Sequence, residues 1–205
     1  NLEKSDPTVG GTTVVRPDKY VGITTYVGNG STGQNITGLK FKPDLLIIKK
    51  YSASESWGAF DSIRGVNKRL YTNENHAEVS ETTMSAFNEG GFRVEGSGGG
   101  STNDNGASYV GYCWRAGGNK GTWNIDGVPY ASAAAAGLSG GDIDSTAASV
   151  NTKGGFSILR FEAQSSGSAT IKHGMGKKPG FWMYKPFDNT TDWYVYHQSL
   201  GASAW

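Results

Sequence analysis

The chain has 205 residues, enough for one or two domains. Its formal net charge of +1 gives no electrostatic footprint for nucleic acid. One cysteine, Cys113, excludes an internal disulfide framework, and no apolar run reaches the roughly 20 residues of a membrane span. Glycine supplies 31 residues, about twice the usual share of ~7%. Leu, Ile and Val are sparse, while 6 Trp, 10 Tyr and 8 Phe are available to fill a core. This mixture suits short strands joined by polar turns and disfavours a helical bundle.

In chain order, residues 1–19 are a polar N-terminal extension or arm without an apolar signal core. Tyr20–Val27 alternates like a half-buried strand, and Gly28-Asn29-Gly30-Ser31 is a turn by composition. Gln34–Leu39 is a second strand. Pro43 fixes φ at the entry to Asp44–Lys50, whose apolar run Leu45–Ile48 predicts a central strand covered on both faces. Ser56–Ile63 and Arg69–Thr72 follow as strands, then a hairpin over Ala86–Glu95 turning at Asn88-Glu89-Gly90-Gly91. Gly96–Gly106 is a polar loop, and Ala107–Ala116 is a strand carrying Tyr109, Tyr112 and Trp114.

Strands at this spacing predict an all-β, antiparallel β-sandwich of jelly-roll or lectin-like kind over residues 20–126. Residues 127–153 are Gly-, Ala- and Ser-rich and are expected to form a connector. Their Ala131–Ala136 run is too short for a stable isolated helix. Residues 154–205 form a partial second β unit.

That second unit is expected because the sequence repeats. Lys42-Pro43-Asp44-Leu45-Leu46-Ile47-Ile48-Lys49 matches Lys178-Pro179-Gly180-Phe181-Trp182-Met183-Tyr184-Lys185 at an offset of 136 (Pro43 to Pro179). Trp57 and Trp193 each stand fourteen residues past their proline. Phe60-Asp61-Ser62 faces Tyr196-His197-Gln198, and Tyr20–Gly33 resembles Phe156–Gly167 after a one-residue gap. The period is far longer than a solenoid's ~20–50 residues, so the repeating unit is domain-sized. The second copy lacks counterparts for the later strands of the first.

Tyr26-Val27-Gly28-Asn29-Gly30, Gly38–Leu45, Phe60–Gly65, Tyr112–Gly118 and Asp192-Trp193-Tyr194-Val195-Tyr196-His197 resemble an uncharacterised β-rich domain of marine bacteriophage virion proteins, notably cyanophage-type tail-fibre proteins. The resemblance covers nearly the whole chain after residue 20. It implies a virion structural protein (tail fibre, appendage or capsid decoration) on the particle surface, and a lectin- or laminin-G-like sandwich by analogy. Expected partners are other copies of the chain, in a homo-oligomer with a trimer as one form, other virion proteins and a host-surface glycan.

The residues themselves offer little catalytic chemistry, and the protein is expected not to be an enzyme. No strand carries the alternating carboxylates of a sandwich glycosidase, which weighs against a polysaccharide depolymerase. Ser97-Gly98-Gly99-Gly100-Ser101 is low-complexity, and Gly174–Lys178 lacks the full phosphate-loop pattern. His76, His173 and His197 have no ligand spacing with Cys113, so no metal or other cofactor is expected. Asn103–Asn105 and Asp142–Asp144 suit surface turns as well as a Ca²⁺ site. Binding of a sugar is the alternative function, and its candidate residues are Trp57, Asp61, Arg64, Trp193 and His197. The two Trp rings could stack on a sugar or close the core. Asp61 and Arg64 read as an exposed turn pair.

Overall fold

The computed structural model describes residues 16–96, 102–165 and 167–200. Most of the expected N-terminal arm, the Ser97–Ser101 stretch and Trp205 lie outside the described residues. A 3-10 turn at Pro17–Lys19, started by the fixed φ of Pro17, leads into β1 (Val21–Val27). The order continues with β2 (Gln34–Thr37), β3 (Leu45–Lys50), β4 (Gly58–Asp61), β5 (Lys68–Tyr71), β6 (Val79–Ser80), β7 (Met84–Asn88), β8 (Gly91–Val94) and β9 (Ser108–Trp114). Then come β10 (Trp123–Ile125), β11 (Val128–Tyr130), β12 (Ser145–Asn151), β13 (Phe156–Phe161), β14 (Phe181–Tyr184) and β15 (Tyr194–His197). The chain is all-β, as its composition requires.

One sheet has the order β1-β9-β3-β4-β5-β6, and a second has the order β2-β8-β7. Alternation makes the sandwich: β9 turns Tyr109, Gly111 and Cys113 inward. These meet Ile36, Phe87, Phe92 and Val94 of the smaller sheet in one core, joined by Tyr26, Leu46, Ile48 and Phe60. Tyr26 stacks on Tyr109 with centroids 5.0 Å apart and meets Phe92 edge-on at 6.0 Å. Aromatic volume thus replaces the missing aliphatic residues, each buried ring contributing roughly 2–3 kcal/mol. The β7–β8 turn needs Gly90 at φ 77°, a left-handed conformation that glycine adopts without a Cβ penalty.

The segment expected as a connector is not one. Residues 127–153 contain β11 and β12, and β12 is buried at every position but Thr146. β12 pairs in parallel with β10 and antiparallel with β13, giving a four-stranded sheet β11-β10-β12-β13. The expected boundaries at residues 126 and 153 therefore both cut through one sheet. Small residues disguise this strand: Ser145, Ala147, Ala148 and Ser149 fit beneath a tight cover and leave no aromatic or β-branched signal. The cover includes one turn over Ser132–Leu138. Ser132 caps it through Oγ to the Ala135 amide, 3.1 Å. Bonds from Leu138 N to Ala133 O and from Gly137 N to Ala134 O close its end, with Gly137 at φ 68°.

The repeat reappears in the backbone. β3 and β4 pair Leu45 with Asp61 through Ile48 with Gly58; β14 and β15 pair Phe181 with His197 through Tyr184 with Tyr194. Every pair in the second hairpin lies 136 residues beyond its counterpart. Even the closing hydrogen bond is conserved between the copies: Ser62 N to Asp44 O at 2.8 Å, and Gln198 N to Gly180 O at 2.8 Å.

Candidate functional site

The loop after β5 and the loop before β15 form one open cleft of about 550 Å³, lined by Thr72–His76, Asp192 and Trp193. Trp193 is half-buried because its indole Nε1 donates to Tyr71 O at 2.7 Å. The same loop is pinned from the other side by Trp57, whose N–H donates to Asn73 Oδ1 at 2.8 Å. The two repeat-related tryptophans therefore flank a single loop. Lys185 Nζ donates to Asn75 O at 2.9 Å and also to Thr191 O, locking the second hairpin onto the first unit. Burial lowers the Lys185 ammonium pKa, and Asp192 partly offsets it. Glu74 Oε2 lies 3.0 Å from His76 Nδ1, and His76 meets Tyr71 edge-on. The cleft thus presents one aromatic ring, carboxylates and amides, the donor and acceptor set that suits a polyhydroxylated ligand.

The other candidate residues lie elsewhere or do other work. Trp57 packs its ring on Tyr112, centroids 5.9 Å apart, and is partly a closing ring of the sheet. Asp61 and Arg64 are not an exposed pair: both side chains are about 10% exposed, with Arg64 Nε 2.6 Å from Asp61 Oδ2. Asp61 Oδ1 accepts the Ile63 and Arg64 amides, and Arg64 donates on to Glu78, Lys68 O and Ala59 O. Removing either partner leaves a buried charge, a loss of about 3–5 kcal/mol rather than the small value of a surface pair. Neither Asp61 nor Arg64 lines the cleft. His197 is exposed at the end of β15, where Nδ1 accepts the Ser199 amide, and does not line the cleft.

Two features are prominent in space and quiet in sequence. The first is Asp44, fully buried in the Lys-Pro-Asp motif. Its carboxylate accepts Ser62 Oγ at 2.8 Å, Ala116 N at 2.8 Å and Gly118 N at 3.0 Å, and meets Ser149 Oγ at 3.4 Å. Ser149 also bonds Gly117 N and Asn124 Oδ1, so Asp44 ties β3 to β10 and β12. Burial raises its pKa, and the hydrogen bonds only partly oppose that. The second copy has Gly180 here, so no spacing argument could have marked Asp44 as a hub. Among the described residues no cluster of three or more His, Cys, Asp or Glu could hold a metal.

The second feature is the outer face of the β14–β15 hairpin. Trp182 stacks on Tyr196 at 5.3 Å and Tyr184 on Tyr194 at 4.8 Å, giving a ladder of four rings. Trp182, Tyr184 and Tyr194 are each 39% exposed. The first-copy counterparts of Trp182, Tyr184 and Tyr196 are Leu46, Ile48 and Phe60, all in the sandwich core. The W-x-Y and Y-x-Y alternation is the sequence signal for this face.

No curated protein and no solved structure matches the chain. One family model, described as a domain of unknown function, DUF7483, matches residues 16–204. The match covers the sandwich, the small-residue sheet and the aromatic hairpin together, and the chain belongs to the DUF7483 family.

Proposed function

We propose that the protein is a virion structural component, a tail fibre, appendage or capsid decoration, that works by assembly and adhesion without catalysis. The observation that supports assembly is the exposed ring ladder of β14–β15, standing where the first copy has a sealed core. Aromatic rings dominate interface cores, and their burial against further subunits would yield several kcal/mol. The virion setting comes from the resemblance of Tyr112–Gly118 and Asp192–His197 to phage structural domains. A homo-oligomer on the particle surface then multiplies weak contacts into avidity.

Sedimentation velocity over a concentration series tests this. The chain is expected to self-associate, and Trp182→Ser with Tyr194→Ser is expected to weaken association at least tenfold while the circular dichroism spectrum stays unchanged. A strictly monomeric chain at high concentration would refute homo-assembly.

A second reading is a carbohydrate-binding module, favoured by the cleft beside Trp193. Trp193→Ala should then abolish any hit on an array of algal and bacterial surface glycans. An array with no hit for the wild type rejects this reading without touching the first.

A further inference from the structure

Hydrogen bonds clamp both walls of the cleft between the loop after β5 and the loop before β15. Trp193 Nε1 donates to Tyr71 O at 2.7 Å, which fixes the plane of the indole. The Lys185 ammonium spans the two loops, donating to Asn75 O on one side and Thr191 O on the other. The Asn73 amide is also engaged: Oδ1 accepts the Trp57 N–H at 2.8 Å, and Nδ2 donates to Ser56 Oγ at 3.4 Å. The cleft is therefore formed before a ligand arrives, and a ligand does not have to order it. Its volume of about 550 Å³ falls within the ~300–1,000 Å³ of small-molecule sites.

The charged groups left over in the cleft are carboxylates. Asp192 is exposed, and among the described residues its carboxylate has no hydrogen bond or ion pair; it acts on Lys185 through its field alone. Glu74 places one carboxylate oxygen 3.0 Å from His76 Nδ1, and its other oxygen has no hydrogen bond among the described residues. Among the described residues no Lys or Arg lines the cleft, and the neighbouring Lys185 ammonium is turned to backbone carbonyls. Such a surface repels carboxylated and sulfated sugars and favours a ligand that brings its own positive charge. Thr72, Asn75 and His76 add hydrogen-bonding groups for hydroxyls. The Trp193 ring supplies an apolar platform for a sugar ring, and its π-face also attracts a cation. The repeat marks how particular this combination is. At the offset of 136, Asp192 corresponds to Ser56, and Trp57 spends its ring on Tyr112.

We propose that this cleft binds a protonated amino sugar, a glycan unit with a free ammonium group, its ring lying on Trp193 and its ammonium held by Asp192 and Glu74. The inference rests on the carbohydrate reading of the cleft and names the class of sugar. Two exposed carboxylates alone would be ordinary surface. A fixed indole in the same preformed cleft turns them into a means of selection, because it holds the sugar while they sort its charge. Hydrogen bonds from an ammonium to a carboxylate are roughly twice as strong as neutral ones. An N-acetylated sugar offers a neutral amide at that position and leaves both carboxylates without a cation. Each exposed pair contributes up to about fivefold in affinity, so the preference comes from the two acting together.

Isothermal titration calorimetry on the full chain tests this with a glucosamine trimer, at a pH where its amines are protonated, and the same trimer fully N-acetylated. The free-amine trimer is expected to bind about tenfold more tightly, and its binding should weaken as salt rises. Asp192→Asn with Glu74→Gln should bring the two trimers to within about twofold of each other, with an unchanged circular dichroism spectrum. Asp188→Asn removes an exposed carboxylate outside the cleft and should leave the preference intact. Equal or tighter binding of the N-acetylated trimer overturns the amino-sugar assignment and leaves the carbohydrate reading standing. Trilysine binding as tightly as the free-amine trimer also overturns it, because the cleft would then read charge without sugar. A preference that survives the double substitution puts the ammonium elsewhere and overturns the site. Binding of neither trimer overturns the inference, and the glycan array then decides the broader reading by itself.

Discussion

Asp44 carries the clearest single-residue consequence. Its carboxyl is raised above the ordinary 3.8 by burial. The native state therefore holds that proton more tightly than the unfolded chain does. The group's contribution to stability is full below 3.8, declines as pH rises through the raised native value, and is flat beyond it. Asp44→Asn cannot titrate. Urea unfolding from about pH 4 to about pH 7 should show the wild type losing ground to Asp44→Asn as pH rises. A stability difference that is constant across this range would contradict the raised carboxyl. Asp44→Ala removes acceptors from the Ala116 and Gly118 amides and should cost about 3 kcal/mol. The sequence announced Pro43 and the strand after it, because a missing N–H and an apolar run are local signals. It could not announce Asp44, because three of its hydrogen-bond partners lie more than seventy residues away. Asp61 and Arg64 misled for the same reason. Two charges three residues apart look like a surface turn until Glu78 and the Lys68 carbonyl enclose them.

At the scale of elements, the aromatic and β-branched strands were legible and the small-residue strand was not. β1, β3, β9 and the β7–β8 hairpin follow from alternation and turn residues. β12 has neither, and its burial depends on a close approach that Gly117 permits. A Cβ on Gly117 would fall 1.8 Å from Asn124 Oδ1, inside the network that joins β10, β12 and Asp44. Gly117→Ala should lower stability by about 2–3 kcal/mol in urea titrations. An effect within ~0.5 kcal/mol, typical of open surface, would mean this junction is loose. Cys113, on β9, sits in the core with its thiol pushed up to about 12 by burial, so it packs as a small hydrophobe. Trp57 and Trp193 stand out in the sequence by their spacing. Their shared grip on the Thr72–His76 loop was not predictable, because it depends on how the second hairpin docks.

Across the whole molecule, one hairpin appears twice in different settings. The first copy seals Leu46, Ile48 and Phe60 beneath the β2-β8-β7 sheet; the second leaves Trp182, Tyr184 and Tyr196 without a counterpart of that cover among the described residues. The repeat was legible because Lys-Pro and Trp recur at a fixed offset. Which edge of β14 faces away from its partner was not legible, because it depends on the register of β14 with β15.

Residue-resolved amide exchange on the isolated chain tests this most directly, by comparing Ile47 with Met183. These residues lie 136 apart, at the same place in matching hairpins, with amides turned to the same side. Ile47 faces β9 and should exchange only on global unfolding, whereas Met183 points away from β15, pairs with no other strand among the described residues, and should exchange orders of magnitude faster. Equal protection of the two amides in the monomer would contradict the unpaired outer edge of β14.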